Sequence, residues 1–198
     1  MNQRLFLIGF LALVLLSLFY LHKKRYTLAD MPYSIDSTTG GIVCQNTAKV
    51  QGVDQEQLYN RAKHFLIRNF VKGNAAIQID DKNNGVLVGK GIIRGLMSVK
   101  TAGMDYEAPI EIRVKGDSYQ YKISDMAVVN TDNGGRYDIN QDIHEARENA
   151  IRQGKKAPTN IEMSQRQYEE HMMKLKPFTD LAAQLRDAMQ KPNEKESL

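Results

Sequence analysis

The run Leu5 to Leu21 carries no charged residue and closes on His22-Lys23-Lys24-Arg25, so it divides the chain into a membrane-addressed start and a folded remainder. About 17 residues without a charge sit at the lower limit for crossing a bilayer and exceed the ~7–15 of a signal-peptide core. No polar face interrupts the run, which excludes a half-buried amphipathic helix. Tyr20 and the long-stemmed Lys23, Lys24 and Arg25 suit a helix end at the headgroup level. A small-residue cleavage pattern, Thr27-Leu28-Ala29, lies past the cations and matches weakly. Residues 1–25 therefore read as a signal anchor or signal peptide, the retained anchor fitting the run better, with residues 5–21 in the membrane.

About 170 residues follow, enough for one domain with its own core. The sequence is 42% hydrophobic and 25% charged, ordinary values for a globular chain. Its net charge of +4 comes from interspersed acids and bases with no arginine-rich arm, so nucleic acid is not an expected partner. Cys44 is the single cysteine. It rules out an intrachain disulfide and a Cys-rich zinc site, and it lies too far from the apolar run to be a lipoprotein acceptor.

Residues 26–44 hold Pro32, Ser34, Ser37, Thr38, Thr39, Gly40 and Gly41 without apolar periodicity and read as a linker. A short strand is predicted at Thr47–Gln51. Asp54 and Gln57 have the spacing of a capping box, and Leu58, Ala62, Phe65, Leu66 and Phe70 then form a helical stripe closed by Gly73. A helix is predicted over Gln55–Val71. Period-two runs follow at Ala76–Asp80, Val86–Met97, Pro109–Lys115 and Tyr119–Val129, separated by Asp81-Lys82-Asn83-Asn84-Gly85, Thr101–Asp105 and Gly116-Asp117-Ser118. They predict a four-stranded antiparallel meander.

Ile110, Ile112, Val114, Tyr119, Tyr121 and Ile123 alternate with Glu111, Arg113, Lys115, Gln120 and Lys122, so one sheet face is core and the other wet. The first helix and a second one, with Phe178, Leu181, Ala182, Leu185 and Met189 as its stripe, should cover the core face. Pro177 fits the first turn of that second helix and Pro192 lies past its end. The fold class is α+β: an antiparallel sheet in β-α-β-β-β-β-α order with helices on one face. Residues 45–130 and 176–191 form this domain, and 131–175 a polar, partly helical insert with a short helix at Asp142–Gln153 and another at Ser164–Lys174 that runs towards the last one.

No cofactor is expected. His144-Glu145-Ala146-Arg147-Glu148 ends on a carboxylate where a zinc-protease helix needs a second imidazole. Gly85 to Gly91 is one residue short of a phosphate loop and lacks the following Ser or Thr. Glycines in a strand more often mark a bulge or a close approach. Asp80 to Gly85 has a calcium-loop composition with the wrong spacing. No sequence pattern ties Cys44 or a serine to His64, His144 or His171, the last read as a surface residue. The chain thus reads as a non-enzymatic binding or scaffolding module. Its candidate partner face is Glu111, Arg113, Lys115, Gln120 and Lys122, with Tyr106 as a possible aromatic anchor beside it. The alternative is a small-ligand protein or hydrolase with a pocket between sheet and helices, using His64 or Tyr121.

Val50-x-Gly52-Val53, Leu58-Tyr59-Asn60-Arg61-Ala62 leading to Asn69-Phe70, Ile79-Asp80-Asp81 and Gly89-Lys90-Gly91 stand in this order. Together they resemble the bacterial domain of unknown function with a TATA-binding-protein-like fold, over roughly Ile42 to Val129 and the C-terminal helix. The resemblance implies a curved antiparallel sheet backed by helices and no established activity. Its members look like envelope-directed proteins of Gram-negative bacteria with a signal sequence or lipid anchor before the domain; together with the apolar run this leads to the expectation of an inner-membrane anchor, a periplasmic domain and a protein or envelope polymer as partner. The Lys23-Lys24-Arg25 cluster argues instead for a cytoplasmic domain under the positive-inside rule. The chain departs from the usual member in having no lipobox and in its polar stretch Asn130 to Lys174.

Overall fold

The computed structural model describes residues 26–27, 33–36, 38–93, 104–130, 132–154 and 162–191. The anchor segment, residues 5–21, lies outside the described residues, and among the described residues no helix is long and apolar enough to cross a membrane.

Helix α1, Gln55–Asn69, starts where its cap dictates: Asp54 accepts from the Gln57 N–H at 2.8 Å while the Gln57 side chain accepts from the Asp54 N–H at 3.2 Å. Its stripe of Leu58, Ala62, Phe65 and Leu66 is buried. The helix ends before the predicted Val71 because Phe70 turns extended and bridges to Ile93, with the Val71 N–H on the Ile92 carbonyl.

Ten strands are described: β1 Tyr26–Thr27, β2 Ser34–Ile35, β3 Ile42–Lys49, β4 Ile77–Asp81, β5 Val86–Ile93, β6 Met104–Lys115, β7 Ser118–Ile123, β8 Ala127–Asn130, β9 Arg136–Asp138 and β10 Glu162–Met163. The main sheet is antiparallel in the order β2-β3-β7-β6-β5-β4, with β8 also on β6 and β9 on β8. The predicted meander is thus present as β4 to β7. The predicted last strand is broken, however. Ile110 faces Ile123 and Glu107 faces Ala127, so Ser124-Asp125-Met126 oppose only Ala108-Pro109. This is a β-bulge, with Asp125 at a φ of 43°, and Pro109 sits opposite it, where a central strand tolerates the missing N–H.

Helices α2, Gln141–Arg152, and α3, Gln165–Gln190, complete the chain. The stripe Phe178, Leu181, Ala182, Leu185 and Met189 is buried as expected. The helix itself begins earlier, at a Ser164/Gln167 capping box, so Pro177 falls inside it rather than in its first turn. A proline there forfeits one helical hydrogen bond and usually costs about 3 kcal/mol. Pro177 and Phe178 are both buried, and that burial offsets the loss.

Residues 26–44 are not a tether throughout. Asp36 Oδ1 accepts from the Thr38 and Thr39 N–H groups at 2.8 and 2.9 Å, and its own N–H reaches the Gly41 carbonyl. The Ser/Thr/Gly composition therefore makes a hairpin turn that brings β2 onto β3. The strand predicted at Thr47–Gln51 begins five residues earlier, at Ile42. Tyr26 pairs with Met163 and its ring stacks on Tyr168, centroids 4.3 Å apart. Within the stretch read as an insert, β9 extends the sheet, and the buried Asn140 accepts the Ile42 N–H at 2.7 Å.

Gly89 shows why the Gly89-Lys90-Gly91 segment carries its glycines. A Cβ at Gly89 would stand 2.6 Å from the Phe70 ring and 3.3 Å from Leu66, so the end of α1 rests directly on this strand.

Candidate functional site

Alternation and register together build one wet face. Ile110, Ile112, Val114, Tyr119, Tyr121 and Ile123 are buried under α1 and α3. The intervening residues form cross-strand rows on the other side: Val88, Glu111, Lys122 and Gln45 in one, Val86, Arg113, Gln120 and Thr47 in the next. Ile79 on β4 extends the first row and is 47% exposed. All five candidate residues thus stand on the same side of β6 and β7, with Lys115 opposite Ser118 and Lys49 beyond it.

Their charges are not equally available. The Arg113 guanidinium is hydrogen-bonded to Glu111 on its own strand. Lys122 reaches across to Asp36 rather than to Glu111 opposite. That ammonium, with the Thr39 and Thr38 N–H groups, holds the Asp36 carboxyl well below the usual carboxylate range. Lys122 therefore fastens the β2–β3 turn to the sheet. Lys115, exposed at the end of β6, has no ion-pair partner among the described residues. The face is a half-exposed apolar strip of Ile79, Val88 and Val86 bordered by amides, with the exposed Lys115 and Lys90 ammoniums beside it.

Other residues land elsewhere. Tyr106, expected as an anchor beside this face, belongs to β6 with the parity of Ile110, and its ring packs edge-on to Phe178 at 5.8 Å on the core side. His171 is buried at 8% exposure rather than on the surface, its Nδ1 2.8 Å from the Gln167 carbonyl. His144 is exposed on α2. Tyr121 is buried under α3, while His64 is exposed on α1 and lines a cleft between α1 and α3, so the structure does not bring the two together. Burial pushes the Cys44 thiol up, against the nearby Arg186. Among the described residues no three His, Cys, Asp or Glu side chains are placed to hold a metal ion.

At the edge of the core face, the Tyr59 hydroxyl donates to Asp80 at 2.7 Å. Lys63 first, then Tyr59, keeps the Asp80 carboxyl low, and burial with the Asp80 charge drives the Tyr59 hydroxyl upward. This three-residue clasp joins α1 to β4 and was not apparent in the sequence. Tyr59 and Asp80 stand within the motifs Leu58–Ala62 and Ile79–Asp81, which is its one sequence trace.

An open antiparallel sheet with helices behind it and a long C-terminal helix defines the TATA-binding-protein-like class of α+β folds. Residues 45–128 match the model of the family described as a domain of unknown function (DUF4468) with TBP-like fold. Two solved structures share the fold. One, a TBP-like protein from Parabacteroides distasonis, has a TM-score of 0.52 at 13% identity, covering 80% of this chain and 99% of that one. The other, a DUF4468 family protein from Bacteroides ovatus, has a TM-score of 0.51 at 15% identity, covering 81% and 92%. No curated protein matches the chain.

Proposed function

We infer that the chain is a non-enzymatic binding module, held at the inner membrane by residues 5–21 with its domain in the periplasm, and that it engages a protein through the open sheet face. The observation that carries this is the row structure of that face. Ile79, Val88 and Val86 leave an apolar strip beside Glu111, Arg113 and Gln120, with Lys115 open at one end. A protein segment presenting an apolar side chain flanked by a carboxylate complements it. A polysaccharide would leave the strip uncovered.

A binding role is further supported by the dispersal of reactive groups. His64, His144 and His171 sit on three different helices, and Cys44 is buried beside Tyr33 and Tyr121. Membrane tethering is supported by the sequence of the first 25 residues alone. The DUF4468 domain and its structural neighbours carry no established activity into this reading.

The test is affinity capture from envelope fractions with the full chain and with an Ile79→Ser/Lys115→Glu variant. Both positions are exposed, so the fold should be little affected. The reading expects a discrete protein retained by the wild type and lost, by roughly tenfold or more, from the variant. Equal retention by a variant with an unchanged melting temperature refutes the face. Periplasmic placement is tested separately by C-terminal reporter fusions, where activity of a reporter that matures only in the cytoplasm overturns it.

A further inference from the structure

Strand β3 is an inner strand only at its start. β2 pairs with Ile42 and Val43 and stops there, so from Cys44 to Lys49 the outer edge of β3 has no strand beside it among the described residues. Backbone parity fixes what that edge offers. The Thr47 N–H donates to Asn46 Oδ1 at 2.8 Å, whereas the Val50 N–H donates to the Asp117 carbonyl on the β7 side. Gln45, Thr47 and Lys49 therefore turn their backbone groups outward, in line with Val43, while Cys44, Asn46 and Ala48 turn theirs to β7. Asn46 Oδ1 occupies the place of a partner carbonyl.

The helix side of this edge carries an unmatched charge. Asn46 stands opposite Tyr121 and Ala48 opposite Tyr119, so these side chains share the face that α3 covers. Cys44 is buried there and Asn46 is exposed, so the helical cover ends beside Asn46. On α3, Gln184 and Ala188 face α1. Arg186 lies two residues from each and is turned from them by about 200°, onto the flank above β3. Burial raises the Tyr119 and Tyr121 hydroxyls and the Cys44 thiol, and the nearby Arg186 guanidinium opposes that rise at all three. Arg186 is exposed and has no hydrogen-bond or ion-pair partner among the described residues. Tyr119 is 1% exposed, and its hydroxyl is buried without a hydrogen-bond partner, an arrangement that calls for an acceptor.

We propose that the outer edge of β3 over Cys44 to Lys49 is a docking lane for an extended, carboxylate-bearing peptide segment of a partner protein. The segment continues the lane of β2 and exchanges backbone hydrogen bonds with Gln45, Thr47 and Lys49. Its carbonyl displaces the Asn46 side chain from the Thr47 N–H, an exposed and local bond. Paired residues of adjacent strands share a face, so the segment's residue opposite Asn46 or Ala48 points towards α3. A carboxylate there meets the planar Arg186 fork and offers an acceptor towards the Tyr119 hydroxyl. A second copy of this chain fits less well, because β3 paired with itself sets Asn46 and Ala48 against each other and brings no carboxylate to Arg186. The lane lies at the sheet edge, apart from the open face.

The experiment pans random dodecapeptides displayed on phage against the full chain in phosphatidylcholine nanodiscs. The proposal expects enriched peptides with an Asp or Glu at one fixed place in an alternating, β-branched run, and slower amide exchange at Gln45 and Lys49 when they bind. The Arg186→Glu chain should bind them at least roughly tenfold more weakly and should itself enrich Lys or Arg at that place. Thr47→Pro keeps the pairing with β7, blocks the outer edge and should weaken binding by a similar factor. Arg186 is exposed, so its variant carries the test even where Thr47→Pro does not fold. No enrichment by the wild type, or enriched peptides that the Arg186→Glu chain binds as tightly, overturns the proposal. Binding that survives Ile79→Ser/Lys115→Glu is expected of the lane. Peptides lost only with that double variant belong to the open face and overturn the lane while leaving the open-face reading intact.

Discussion

Asn140 accepts the backbone N–H of Ile42 through Oδ1 at 2.7 Å, joining two residues 98 positions apart. Asn140 is 3% exposed and Ile42 1%, so the bond is made away from water, and the Asn140 N–H is itself turned onto Asp138. A polar residue in a charge-rich stretch thereby fixes the start of β3. Truncating it leaves a buried amide donor without an acceptor. Asn140→Ala is expected to lower stability by about 1–3 kcal/mol. Urea unfolding checks this: the midpoint falls with the slope unchanged.

Gly89 and Phe70 should behave as a coupled pair. A methyl at Gly89 meets the Phe70 ring at 2.6 Å, and Phe70 is fully buried at the end of α1. Gly89→Ala is expected to cost about 1–3 kcal/mol through overpacking. Phe70→Leu removes ring atoms at the same contact, so in the double variant the two losses add to less than their sum. A double-mutant cycle by denaturant unfolding measures this coupling, and strict additivity contradicts the close approach.

Asp36 gives the fold a defined acid dependence. Its carboxyl is held below the usual range by Lys122 and by two backbone N–H groups. A group depressed on folding stabilises fully above its unfolded value, near 4 for a carboxyl, and that contribution is lost as pH falls through the lower folded value. Asp36→Asn is therefore less stable than wild type at pH 7, and the gap closes progressively below about pH 4. Unfolding midpoints at pH 7 and pH 3 test this, and a gap that does not change with pH would count against the Lys122–Asp36 pair.

What could be read from the sequence was local. The Asp54/Gln57 cap, the stripe of α1 and the Phe178–Met189 stripe each lie within a few turns of helix, and all are where expected. The open face was legible too, because the parity of Glu111, Arg113, Lys115, Gln120 and Lys122 follows from alternation alone. What escaped depended on distant partners. Lys122 was assigned to the face, but its attachment to Asp36 spans 86 residues and turns a presumed tether into part of the sheet. The bulge at Ser124-Asp125-Met126 is set by strand pairing against Pro109, which alternation cannot register. The sequence pattern starts this strand at Pro109 and leaves Tyr106 on the preceding loop. Extending the strand to Met104 puts the ring on the core side, against Phe178.

Under the proposed function the open sheet face meets a protein. Site-specific photo-crosslinking in cells tests it most directly, with a benzoylphenylalanine placed at Gln120 or Thr47 on the open face and at exposed Met173 on α3 as the comparison. The account predicts an adduct of one discrete mass from Gln120 and Thr47 and none from Met173. Adducts from Met173 but not from the sheet positions, or no adduct from any of the three, would contradict it.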